Sequence, residues 1–169
     1  MIVPDDGTRT TGLLRARLGM VLESVTEEWH WYQDQQNALV LFWLHFADAP
    51  VLELRGCGEL LLVEESAPRS SYDMDEYGEG RVGPAQASGV LAGFVGARLR
   101  DAALIWGYST TPLVGGVLLR FDIGDLAVSS SGDEWVVARG GLPPSAVPQH
   151  RVEATTITGT PLAASGPQR

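Results

Sequence analysis

Ala38-Leu39-Val40-Leu41-Phe42-Trp43-Leu44-His45-Phe46 is apolar at odd and even positions alike. That is the mark of a strand covered on both faces, hence central in its sheet. A later stretch, Val114 to Phe121, closes the same way. Trp43-Leu44-His45-Phe46 parallels Leu118-Leu119-Arg120-Phe121 at a shift of 75 residues. Upstream, a shift of 77 sets Gly12-Leu13-Leu14 over Gly89-Val90-Leu91, Leu18-Gly19 over Val95-Gly96 and Leu22 over Leu99. It also sets Trp29 over Trp106 and Trp31 over Tyr108. Downstream, a shift of 74 sets Leu52 and Leu54 over Leu126 and Val128, and Gly58-Glu59 over Gly132-Asp133. Leu61 then meets Trp135, and Val63 meets Val137. The order of features is kept throughout, which reads as a duplicated unit. Two copies are too few for a solenoid.

Each unit reads as a β-meander. Val25 to Tyr32 alternates, placing Glu27, Trp29 and Trp31 on one face. Asp34-Gln35-Gln36-Asn37, Asp48-Ala49-Pro50 and Gly56-Cys57-Gly58 read as turns, as do Asp122-Ile123-Gly124-Asp125 and Ser129 to Asp133. Such short connections require antiparallel neighbours. Val51–Arg55 and Leu60–Glu64 complete the first unit. The opening stretches Leu13–Leu22 and Val90–Leu99 are expected as strands, because Gly19 and Gly96 disfavour a helix. The expected fold is all-β and mainly antiparallel: two tandem β-meander repeats packed as a pseudo-twofold sandwich or barrel. Residues 1–65 form the first repeat, 66–88 an acidic Gly/Ser/Pro-rich linker and 89–142 the second repeat. Residues 143–169 form a Pro/Thr-rich tail, in which Val152 to Thr158 offers one edge strand.

At 169 residues, 44% hydrophobic and 20% charged, the composition is that of a globular protein. The first residues lack a basic stretch followed by an apolar one, so no secretory signal is read. The longest apolar run, Ala38 to Leu44, falls well short of the roughly 20 residues that span a bilayer. The expected compartment is cytoplasmic. Cys57 is the only cysteine and reads as incidental. Of the net charge of −9, residues 1–83 supply all: fifteen acidic and six basic side chains, against six of each in residues 84–169. That field repels nucleic acid and anionic membrane and attracts a basic partner.

No catalytic constellation is present. His30, His45 and His150 lack metal-ligand spacing, and Ser129-Ser130-Ser131-Gly132 is no nucleophile elbow. Asp73-Met74-Asp75-Glu76-Tyr77-Gly78-Glu79 suggests a calcium loop, but Tyr77 stands where a third ligand belongs and Pro84 where the bidentate Glu should be. No metal or cofactor is expected. A solvated flexible loop is the first expectation here and a recognition loop for a basic protein the second, which makes Glu64, Glu65, Tyr72, Asp73, Asp75, Glu76, Tyr77 and Glu79 the candidate partner-binding residues. Trp29, Trp31 and Trp106 fall at matched positions and are expected in the core. Trp43 differs: its counterpart is Leu118, so the first unit has an extra aromatic face. Cover from within the chain is the first expectation for that face, and an anchor for a partner the second, which adds Trp43 to the candidates.

Gly96-Ala97-Arg98-Leu99, Leu119-Arg120-Phe121, Leu126-Ala127-Val128 and Gly132-Asp133-Glu134 together resemble small actinobacterial β-rich proteins. The pattern is similar in style to immunity proteins of polymorphic toxin systems. The resemblance covers residues 89–138, echoed at 12–64. It implies a β-meander and carries no functional residues with it. The expected function is a non-enzymatic protein-binding module, of the immunity or inhibitor kind. A small-ligand-binding or enzymatic barrel with a pocket between the repeats is the alternative, as is a structural subunit that forms a homo-oligomer.

Overall fold

The structure, a computed structural model, describes residues 6–107, 113–132, 134–146 and 150–162. The first unit opens with helix α1 (Thr8–Arg15) and continues through β1 (Leu22–Tyr32), β2 (Gln35–Phe46), β3 (Leu52–Cys57) and β4 (Leu60–Glu65). A two-residue strand, β5 (Tyr72–Asp73), and β6 (Glu79–Pro84) follow. The second unit opens with a 3-10 turn at Leu91–Phe94, then β7 (Leu99–Gly107), β8 (Val114–Phe121), β9 (Gly124–Ser131), β10 (Glu134–Arg139) and β11 (His150–Val152). Among the described residues these strands form a six-stranded sheet, β4-β3-β2-β1-β6-β5, and a five-stranded sheet, β10-β9-β8-β7-β11. Every pairing is antiparallel. The architecture is the all-β, two-sheet arrangement expected from the meander pattern.

The two units cross where each enters its sheet. Gly19 N–H donates to Leu99 O and Gly96 N–H to Leu22 O, each at 2.7 Å. Leu22 N–H donates to Ala97 O at 2.8 Å and Leu99 N–H to Met20 O at 2.9 Å. A shift of 77 converts one member of each pair into the other. Leu22 and Leu99, both fully buried, flank this crossing. Equivalent rings also meet: Phe46 stacks on Phe121 with planes 3° apart and centroids at 6.4 Å. Phe42 packs against Trp135 at 5.2 Å, and Phe94 against Phe121 at 5.2 Å. Side chains of Leu, Val and Phe from both sheets fill the space between them.

The opening stretches correct the sequence reading. Thr8–Arg15 is α-helical and Leu91–Phe94 is a 3-10 turn, not strand. The glycines that argued against a helix lie beyond these turns. Gly19 and Gly96 have φ of 83° and 91°, the left-handed conformation in which a glycine lets the chain leave a helix. Thr10, Leu14, Leu91 and Phe94 are the residues these turns bury. Three smaller boundaries also move. The first hairpin turns at Gln33-Asp34, both with positive φ, so β2 starts at Gln35. Ser129 and Ser130 belong to β9 rather than to a turn. Trp29 and Trp31 are half-buried and lie outside the core cluster, whereas Trp106 packs against it.

The expected linker and tail supply return strands. β6 pairs with β1 and β11 with β7, in equivalent registers: Trp29 opposite Arg81, and Trp106 opposite Arg151. The tail also covers the outer face of the second sheet, where Leu142, Val152 and Leu162 pack on Ala103, Ile105, Leu118 and Ala127.

Asp101 ties the tail to β7. Thr158 Oγ1 donates to its Oδ2 at 2.6 Å and the Ala102 amide to its Oδ1 at 2.9 Å. Burial alone raises this carboxyl's pKa, but hydrogen bonds from Thr156, Thr158 and Ala102 outweigh it and hold the group below the ordinary aspartate value. A lowered folded-state pKa contributes stability that is present above the unfolded value and lost as pH falls through the folded one. Urea unfolding of the wild type and of Asp101→Asn should therefore differ at pH 7 and converge as pH falls below the ordinary Asp range.

Candidate functional site

β4 and β5 are opposite edges of the first sheet, so the chain between them has to cross a face. Seven residue steps at about 3.4 Å give ~24 Å, and five gaps between strands of about 4.8 Å need a similar span. Ser66 to Ser71 is therefore an extended strap. The inner face already meets the second sheet, so the strap takes the outer one. That face carries Thr26 and Glu28 from β1, opposite Trp43 and Leu41 of β2, and Val82 of β6.

Glu28 holds the strap. Its side chain is 0% exposed, and Arg69 grips it with a fork: Nε to Oε1 at 2.5 Å and Nη2 to Oε2 at 2.7 Å. Tyr72 donates its hydroxyl to Oε2 at 2.9 Å. Burial, then this hydrogen bond to Glu28, raises the Tyr72 pKa and keeps the phenol protonated as a donor. The Tyr72 ring lies flat on Gly80, where a Cβ would approach its Cζ to 2.4 Å. Ser71 Oγ accepts from the Val82 amide at 2.9 Å, which occupies a backbone donor of β6 beyond the short β5. Under this cover Trp43 is 0% exposed. The chain itself covers the extra aromatic face, so Trp43 is no surface anchor in this conformation.

Beyond β5 the acidic loop folds onto the far end of the first hairpin. His30 Nε2 lies 2.7 Å from Tyr77 O, and its Nδ1 lies 2.9 Å from Asn37 Nδ2. A carbonyl can only accept, so Nε2 carries the proton and Nδ1 accepts from the amide. Asp73 Oδ1 accepts from the Asp75 amide at 2.8 Å, and Met74 N–H donates to Gly78 O at 2.8 Å. Gly78 has φ of 102°, and a Cβ there would stand 2.1 Å from Trp31 O. Glycine is the residue that fits. The loop is thus a built structure, with Asp75, Glu76 and Tyr77 facing outward.

The hairpin end adds aromatic surface. Tyr77 is 68% exposed, Tyr32 46% and Met74 36%. Arg81 lies over the Trp31 ring at 4.0 Å, pairs with Glu79, and reaches Asp34 at 3.6 Å. Acidic side chains at 34, 73, 75, 76 and 79 therefore surround exposed tyrosines, with Arg81 as their local counter-charge. Exposed rings of this kind can anchor a protein surface, and charges can steer it.

Of the expected site residues, Tyr72, Asp73, Asp75, Glu76, Tyr77 and Glu79 come together here. Glu64 and Glu65 do not. They sit on the opposite edge strand, where Glu64 lies 3.9 Å from Arg9 and Glu65 accepts from the buried Arg17 at 3.1 Å. Arg17 also donates to Leu13 O and Pro50 O, so that edge is knit to α1 and the β2–β3 turn. The pairings of Glu28 with Arg69 and of His30 with Tyr77 and Asn37 carry no sequence signal. The partners lie 41 and 47 residues away, or across a hairpin, and no local pattern marks such pairs. No family model matches the chain, and neither a curated protein nor a solved structure matches it.

Two outcomes follow from this geometry. Arg69→Met leaves a buried carboxylate without its cation and should cost about 2–4 kcal/mol in urea unfolding. Adding Glu28→Gln should restore part of that loss. Gly78→Ala introduces local strain of about 1–3 kcal/mol. Hydrogen exchange at residues 74–78 should then accelerate ~tenfold or more, while strands β7 to β9 stay unchanged.

Proposed function

We propose that this chain is a non-enzymatic protein-binding module, an immunity or inhibitor protein in type, that engages a basic protein with the hairpin end of its first sheet. One observation carries this reading: an acidic, tyrosine-bearing loop is clamped in one conformation by His30, Asn37 and Gly78. Pre-ordering a loop lowers the entropy cost of binding, so affinity need not come from large area. The concentration of negative charge at one end steers a positive partner. The space between the sheets is packed with apolar side chains, which favours a surface function over a pocket. Descent of the two units from one duplicated ancestor is part of the proposal, supported by the shared strand order and the reciprocal crossing bonds. In that view the first unit carries binding and the second remains scaffold. Cytoplasmic residence belongs to the same reading, and the free Cys57 fits it.

The test is affinity capture from the native host with the full chain, alongside the Asp75→Asn/Glu76→Gln/Tyr77→Ala variant. A basic protein should bind the wild type, release as salt rises, and bind the variant at least about tenfold more weakly, a change of ~1.4 kcal/mol. A chain that retains no protein and gives no protection against a toxin encoded beside it would overturn the proposal.

A further inference from the structure

Glu28 and Ile105 occupy equivalent positions, one residue before the matched tryptophans Trp29 and Trp106. Both face outward from the sheets and both are covered by the chain that follows the unit's last meander strand. In the second unit the surroundings are apolar: Ile105 clusters with Ala103, Leu118 and Ala127, and Leu142, Val152 and Leu162 pack against that cluster. In the first, the same place holds a carboxylate, fully buried and gripped by Arg69. The scaffold therefore works without a charge there. A buried ion pair is seldom more stable than apolar packing of the same volume, so its presence calls for another reason, and specificity is the best attested one.

Two further observations say what this place selects. Among the described residues, the carboxylate's partners, Arg69 and Tyr72, both belong to the crossing segment and its end, and the fork they form is the geometry by which guanidinium is told from ammonium. Trp43, diagonal to Glu28 on the same face, is fully buried, and its Nε1 has no hydrogen-bond partner among the described residues. An orphaned indole N–H beside the strap is a donor that an extended backbone carbonyl can satisfy. The outer side of the strap is open: Ser66, Ala67, Arg69, Ser70 and Ser71 are exposed.

We propose that the face beneath the strap is a second recognition site, for an arginine carried on an extended segment of the partner, and that residues 66–72 are its built-in occupant. The incoming guanidinium replaces Arg69 on Glu28, and the incoming backbone accepts from Trp43 Nε1 as the strap lifts. This rests on the reading of the chain as a binder of basic proteins but uses a different surface from the acidic loop.

The experiment uses the full chain with Arg69→Gly, which vacates the fork while leaving Glu28. Blocked arginine (N-acetyl-arginine methylamide) at ten times its Kd should raise the ratio of folded to unfolded chain about tenfold. Blocked lysine should have little effect, and Glu28→Gln/Arg69→Gly should respond to neither. Equal responses to arginine and lysine, or none to either, overturn the proposal. Should Arg69→Gly not fold, Arg69→Lys keeps a cation beside Glu28 but loses the fork. Blocked arginine should then speed hydrogen exchange at residues 69–72 of that variant, and unchanged exchange overturns the proposal. The Asp75→Asn/Glu76→Gln/Tyr77→Ala change is expected to leave the guanidinium response intact when placed on Arg69→Gly. Failure of the loop to bind a basic protein is thus distinguishable from failure of the fork.

Discussion

Four backbone hydrogen bonds between Gly19–Leu22 and Gly96–Leu99 set the relation of the two sheets, and the rest of the structure depends on them. Each unit enters its sheet across the entry of the other, so neither can be placed without its partner. The crossing puts Leu22 and Leu99 at the centre of a common core and brings Phe46 onto Phe121. A sheet of five or six short strands leaves one apolar face unburied, and the other sheet supplies the surface that covers it. Pseudo-twofold pairing is thus a consequence of burial rather than an ornament of the sequence.

The outer faces pose a second problem, which the two units solve differently. In each, a strand that follows the meander pairs beside the unit's first strand: β6 with β1, and β11 with β7. The second unit closes with aliphatic contacts around Ile105 and Leu118. The first closes with Glu28, Arg69 and Tyr72 above Trp43. Aliphatic cover is tolerant of small shifts, whereas a forked ion pair has one geometry and leaves a costly charge if opened. The outer face is thus closed by apolar contacts in one unit and by a forked ion pair in the other.

The proposed function follows the same division. The β1–β2 hairpin of the first unit is long, and its end carries Tyr32, Trp31 and the clamped loop at 73–79. The second unit has no comparable projection among the described residues: β7 and β8 are shorter than β1 and β2. Charge, exposed rings and strand length therefore converge on one end of one unit.

What could be read from the sequence alone is what depends on near neighbours. Alternation, both-face apolar runs such as Ala38 to Phe46, and turn residues placed the meander strands and their order, because pleat and turn act over a few residues. The same reasoning misjudged Gly19 and Gly96, which terminate helical turns rather than prevent them. The return strands share one sequence signal: Arg81-Val82 and Arg151-Val152 take equivalent places opposite β1 and β7. The acidic loop was visible as composition, but its order was not, since His30 reaches Tyr77 across 47 residues. The grouping of Glu64 and Glu65 with that loop failed for the same cause, as sheet order put them on the far edge. Which charges meet was decided only by the tertiary structure. The partner of a buried carboxylate is chosen by the path of the strap across the sheet, and proximity along the chain carries no information about that path.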